Sequence, residues 1–96
     1  MSKADEMFEK LGYELKNEKI CPHSYVYIKK YDFSIKEIIL EKAKHLITIC
    51  YYKIGTDGRI TTINSIEYHL SMQELQAINE KVKELGWNGD KEENGF

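Results

Sequence analysis

The chain has no marked excess of either charge: 14 Lys and Arg stand against 16 Asp and Glu, a formal net charge of −2. A domain that grips a nucleic-acid backbone gathers a basic excess on one face, and a polyanion that imitates DNA is far more acidic than this. Nucleic acid is therefore not the expected partner. No apolar run approaches the ~20 residues that cross a bilayer, and the first ten residues lack the apolar core of a secretory signal. Cysteines are few, Cys21 and Cys50 alone. A cytoplasmic chain with free thiols and no membrane partner is expected.

Catalytic signatures are absent as well. There is no nucleophile elbow, no glycine-rich phosphate loop and no carboxylate pair in an apolar setting. The glycines at Gly55 and Gly58 are accounted for by a hairpin turn. Cys21-Pro22-His23 invites a metal reading, with His45, Cys50 and His69 as further ligands. Structural zinc sites take four ligands, usually in short pairs such as Cys-x-x-Cys, and no such pair is present. The expectation is a protein that is not an enzyme and holds no cofactor or metal.

What is present is punctuation and periodicity. Ala4, Met7, Phe8 and Leu11 recur at helical spacing, with Ser2 as cap, Asp5 in the reciprocal position and Gly12 as stop. Ser71-Met72-Gln73-Glu74 is a capping box, with Leu70 and Leu75 placed to form a hydrophobic staple. The helix that follows is expected to bury Leu75, Ile78, Val82 and Leu85 and to turn Gln76, Glu80, Lys81 and Lys83 to water. Gly86 ends it, with Trp87 packing back on Val82.

Between the helices the chain is rich in Ile, Tyr, Thr and Val, and predicts strands at 25–31, 33–41, 45–54 and 59–68. Tyr13–Lys16 is a candidate first edge strand. Asp57-Gly58 reads as a two-residue hairpin loop. That loop sets Ile49 opposite Ile66, Ile47 opposite Tyr68, Tyr51 opposite Asn64 and Cys50 opposite Ser65. Ile47, Ile49, Tyr51 and Ile60 then share one face with Ile66 and Tyr68. Leu46, Thr48, Cys50, Tyr52, Ile54 and Ile63 share the other, which is too apolar to be simply wet. The expected fold class is α+β: a short N-terminal helix, an antiparallel β-meander of about four strands, and a C-terminal helix packed on one sheet face. Residues 1–87 are expected to form one domain, and 88–96 a disordered polar tail.

Tyrosine is the compositional excess, seven of 96 residues. Tyr25, Tyr27 and Tyr31 alternate onto one side of a strand with Lys29 among them. Either they pack across strands in the ordinary way, or they form a contact surface, a role to which tyrosine's apolar body and polar tip suit it. Tyr25, Tyr27, Lys29, Tyr31, Tyr52, Ile54 and Ile63 are the candidate interaction residues. Cys50 is expected as a small buried hydrophobe.

The segments Met7–Tyr13, Ser71–Glu80 and Glu84–Trp87 resemble short proteins of unassigned activity encoded by phages and prophages of low-GC Gram-positive bacteria. The matching residues are helix caps and core positions, so the resemblance carries no site. It implies a bacterial host cytoplasm and a non-catalytic effector that inhibits a host protein such as a CRISPR–Cas or other anti-phage defence factor. A homodimer is expected as well, since both faces of the central hairpin carry large apolar residues. A different class of function is the sequestering of a nucleotide-like signal between subunits, with tyrosine rings for stacking and Lys29, Lys30 or Arg59 for phosphate.

Overall fold

Ser2 and Ser71 each put a hydroxyl where the first turn of a helix has N–H groups without intrahelical partners. In the computed structural model, which describes residues 2–16, 19–62 and 69–87, Ser2 Oγ accepts from Asp5 N at 3.0 Å and opens α1, Lys3–Lys10. Ser71 Oγ accepts from Glu74 N at 3.0 Å and Glu74 Oε1 accepts from Ser71 N at 2.7 Å. That reciprocal box opens α2, Met72–Glu84. At its far end Gly86 N donates to Lys83 O and Trp87 N to Val82 O, both at 3.1 Å. These are the two bonds of a Schellman cap, and they require the left-handed backbone that Gly86 adopts at φ +71°.

The chain divides into two compact units, Met1–Leu11 with Leu70–Phe96, and Gly12–His69. In the helical unit α1 and α2 pack together, with Ala4, Phe8, Ala77 and Ile78 buried. Ala4 N, one of the orphan donors of α1, donates to Glu84 Oε2 at 2.8 Å.

The buried face of α2 differs from the expected stripe. It runs Glu74, Ala77, Ile78, Lys81, whereas Leu75 is 39% exposed and Val82 and Leu85 are half-buried. Lys81, expected in water, is 7% exposed. Its ammonium lies 3.3 Å from Asp5 Oδ1, and an ammonium is tolerated in such a place when a carboxylate meets it.

The second unit is a five-stranded antiparallel meander in the order β1-β2-β3-β4-β5. The strands are β1 Glu14–Leu15, β2 Ser24–Lys30, β3 Ser34–Glu41, β4 Leu46–Ile54 and β5 Ile60–Thr62. The α+β class and the meander stand as expected, with the edge strand at 14–15 as the fifth member. Lys16 N extends β1 by donating to Val26 O at 2.8 Å.

The β4–β5 turn departs from expectation. Gly55 N donates to Arg59 O at 2.8 Å and Gly58 N to Gly55 O at 2.9 Å, so the loop holds three residues, with Gly58 at φ +83° as its left-handed member. An Asp-Gly pair serves a two-residue loop, and Gly at the left-handed position serves a three-residue loop with a bulge. Here Asp57 Oδ1 accepts from Arg59 N at 3.1 Å and favours the longer one. The register slips by one residue, pairing Tyr52 with Thr62, Lys53 with Thr61 and Ile54 with Ile60. Ile60 therefore pairs into the Tyr52 and Ile54 set, not the Ile47, Ile49 and Tyr51 set, because a one-residue slip exchanges faces. The expected partners at 63–68, Ile63 among them, lie outside the described residues, as does the tail 88–96.

Candidate interaction surface

Strand register decides which side chains share a surface, because directly opposed residues point to the same face. Tyr25, Tyr27 and Lys29 of β2 stand with Lys36, Ile38 and Leu40 of β3 and Ile47, Ile49 and Tyr51 of β4. This side is buried at its centre, where Tyr27 is 1% exposed and Ile38 and Leu40 are 0%, and opens toward the β3–β4 turn, where Ile47 is 44% exposed.

The tyrosine stripe is engaged within the chain. Lys29 Nζ lies 5.8 Å from the Tyr13 ring and 5.3 Å from the Tyr31 ring. Lys42 Nζ sits 4.7 Å from the Tyr25 ring. Lys36, also buried, donates to His69 O and lies 5.7 Å from the Tyr51 ring. An ammonium over an aromatic face is worth roughly 0.5–1 kcal/mol at an exposed site and more when desolvated. Tyr27 is thus a core residue with no surface to offer a partner, and Tyr25 and Lys29 are half-buried and engaged in these ring contacts.

The opposite face carries Val26, Ile28 and Lys30 of β2, Ile35, Glu37, Ile39 and Glu41 of β3, and Leu46, Thr48, Cys50, Tyr52 and Ile54 of β4. Val26 alone of these is fully buried; Leu46 is 51% exposed and Lys30 and Thr48 are also open to water. A shallow groove of about 350 Å³ crosses it, lined by Lys16, Ile28, Lys30, Ile35, Glu37 and Tyr52. Burial pushes the Tyr52 phenol up to about 12, helped by its hydrogen bond with Cys50 and then by the nearby negative charge of Glu37. That direction unsuits Tyr52 as a base or nucleophile at neutral pH and keeps it a neutral hydrogen-bonding group. Cys50 is half-buried on this open face, which corrects its placement in the core.

The seven expected residues therefore do not converge. Tyr25, Tyr27 and Lys29 stand on the buried face, Tyr52 and Ile54 on the open one, and Ile63 lies outside the described residues. Tyr31 is 41% exposed at the β2–β3 turn, beside Phe33 at 67%. The residues missed were Phe33, Lys16, Ile28, Ile35 and Glu37. The signal for the open face was β3 itself, where Ile35 and Ile39 alternate against Ile38 and Leu40, so that both faces are apolar.

Of the phosphate ligands foreseen for a nucleotide, Arg59 Nε is 3.4 Å from Asp57 Oδ2 and Lys29 lies between two rings, which leaves Lys30. No group of three or more potential metal ligands occurs among the described residues. The chain matches no family of known proteins, no curated protein and no solved structure.

Proposed function

We propose that this chain is a non-catalytic interaction protein that acts by occupying a surface on another protein. The observation that carries the reading is an aromatic pair held out to water on a fixed turn. Tyr31 N donates to Ser34 O and Phe33 O accepts from Ile54 N, both at 2.8 Å, so the turn is tied within its own hairpin and to β4. Phe33 is 67% exposed and Tyr31 41%. Large aromatic residues on a rigid support are the usual anchors of protein interfaces, since little side-chain freedom is lost when they are buried.

The resemblance to phage- and prophage-encoded proteins supplies the class of partner: a host protein, with inhibition of an anti-phage defence factor such as a CRISPR–Cas component as the role. The test is affinity capture from a Gram-positive host lysate with the parent and with a Tyr31→Ala/Phe33→Ala variant. The parent is expected to retain a defined host protein in stoichiometric amount and to relieve the corresponding defence. The variant, shown by circular dichroism to keep the parent's fold, is expected to do neither. Equal capture by both would overturn the reading.

The groove supports a second reading. Its volume of about 350 Å³ and its two lysines, Lys16 and Lys30, set against one acid, Glu37, beside Ile28, Ile35 and Tyr52, suit a small anionic ligand of nucleotide size. A nucleotide released on denaturation and identified by mass spectrometry would favour it.

A further inference from the structure

The open face carries two acids and two bases at its margins. Glu14 pairs with Ile28 across β1 and β2, and Lys16 follows it opposite Val26. Lys30 stands beside Ile35 at one end of the strands, and Glu41 stands between Ser24 and Leu46 at the other. None of Glu14, Lys16, Lys30 or Glu41 has an ion-pair partner among the described residues. Between these charges run Val26, Ile28, Ile35, Ile39, Leu46 and Tyr52, with Glu37, Thr48 and Cys50 among them.

We propose that this face is the seat of a second copy of the chain, packed sheet against sheet about a two-fold axis. The axis crosses the strands between the row Glu14–Ile28–Glu37–Cys50 and the row Lys16–Val26–Ile39–Thr48. A two-fold axis so placed reverses strand direction while laying each strand over its own copy, and packed sheets stay within about 30° of alignment. Glu14 then meets the partner's Lys16, Ile28 the partner's Val26, and Tyr52 the partner's Leu46. Lys30 arrives beside the partner's Glu41. Each of these four marginal charges gains an opposite charge, and each pairing occurs twice, while Glu37 lies over the partner's Ile39 and keeps its hydrogen bond with Tyr52. An axis through the Glu37 row would set Glu37 against its own copy, which like-charge repulsion disfavours. The charge pattern is self-complementary about one axis position, and that is the argument for a second copy as occupant. The inference does not rest on the host-partner reading, which uses the Tyr31–Phe33 turn.

Sedimentation equilibrium of the full chain from tens to hundreds of micromolar tests it. The parent is expected to dimerise, and Lys30→Glu and Glu41→Lys each to weaken the dimer at least about tenfold, since each sets like charges together twice. The double variant Lys30→Glu/Glu41→Lys is expected to return to within about threefold of the parent. If circular dichroism shows either single variant unfolded, Lys16→Glu, Glu14→Lys and their combination make the same test. A parent that stays monomeric throughout the range overturns the proposal. So does a reversal pair no stronger than its singles, or protection of this face from hydrogen exchange by ATP in a chain that remains monomeric.

Discussion

At the residue scale, Tyr52 links the packing of the open face to a measurable titration. Its phenol is raised from an ordinary value of about 10 to about 12 by burial, by its hydrogen bond with Cys50 and by the charge of Glu37. The unfolded chain therefore releases this proton first as pH rises. The neutral phenol's contribution to stability is complete below about pH 10 and is lost as pH climbs through about 12. Ultraviolet difference titration of the parent against Tyr52→Phe is expected to assign an ionisation near the upper value to Tyr52. The loss of stability between pH 10 and 12 should be smaller in Tyr52→Phe than in the parent. A Tyr52 that titrates with the exposed tyrosines would show that the face is wetter than its geometry indicates.

At the element scale, caps were legible in the sequence because all their parts lie within a few residues. Ser71→Ala removes the hydroxyl that Glu74 N uses and is expected to cost ~1 kcal/mol. Gly86→Ala meets no atom within 4 Å of its new Cβ, so its cost is the left-handed backbone alone, also ~1 kcal/mol. Chemical denaturation of the two variants measures both, and midpoints equal to the parent's would refute the cap geometry. The turn at Asp57-Gly58 was harder to read, because the same two residues serve loops of two lengths whose registers differ by one. What separated them was the reach of Asp57 back to Arg59 N, a detail of side-chain direction. The faces of β2 and β3 were harder still. No glycine or asparagine marks the turn at Asp32-Phe33, so no register between these strands was available and Tyr27 could not be told from an exposed residue.

At the scale of the whole molecule, the obstacle was distance along the chain. Lys81 is buried because Asp5, 76 positions earlier, meets it at 3.3 Å, and no local pattern announces such a pair. Asp5→Ala removes the carboxylate that meets this buried ammonium, and the expected cost is up to about 3 kcal/mol. Lys3→Ala breaks the contact with Glu80 at 3.5 Å, but Lys3 is 75% exposed, and such pairs contribute about 0–1 kcal/mol. Thermal melts of the two variants at matched ionic strength compare them, and equal effects would place Lys81 in water after all.

The interleaving of the two units also imposes an order on synthesis. Residues 1–11 leave the ribosome before Gly12–His69, yet the rest of their unit begins at Leu70, after the whole of that segment. An isolated helix of eight residues is shorter than the ~12–15 that hold their form in water. At about 5–20 residues per second, some 60 intervening residues take roughly 3–12 s to translate. The α1 segment thus waits for seconds with Phe8 uncovered by α2, while hairpins that close in microseconds have time to form behind it. A segment made before the sheet reaches its native contacts after it, and during that interval it stays open to chaperones and proteases.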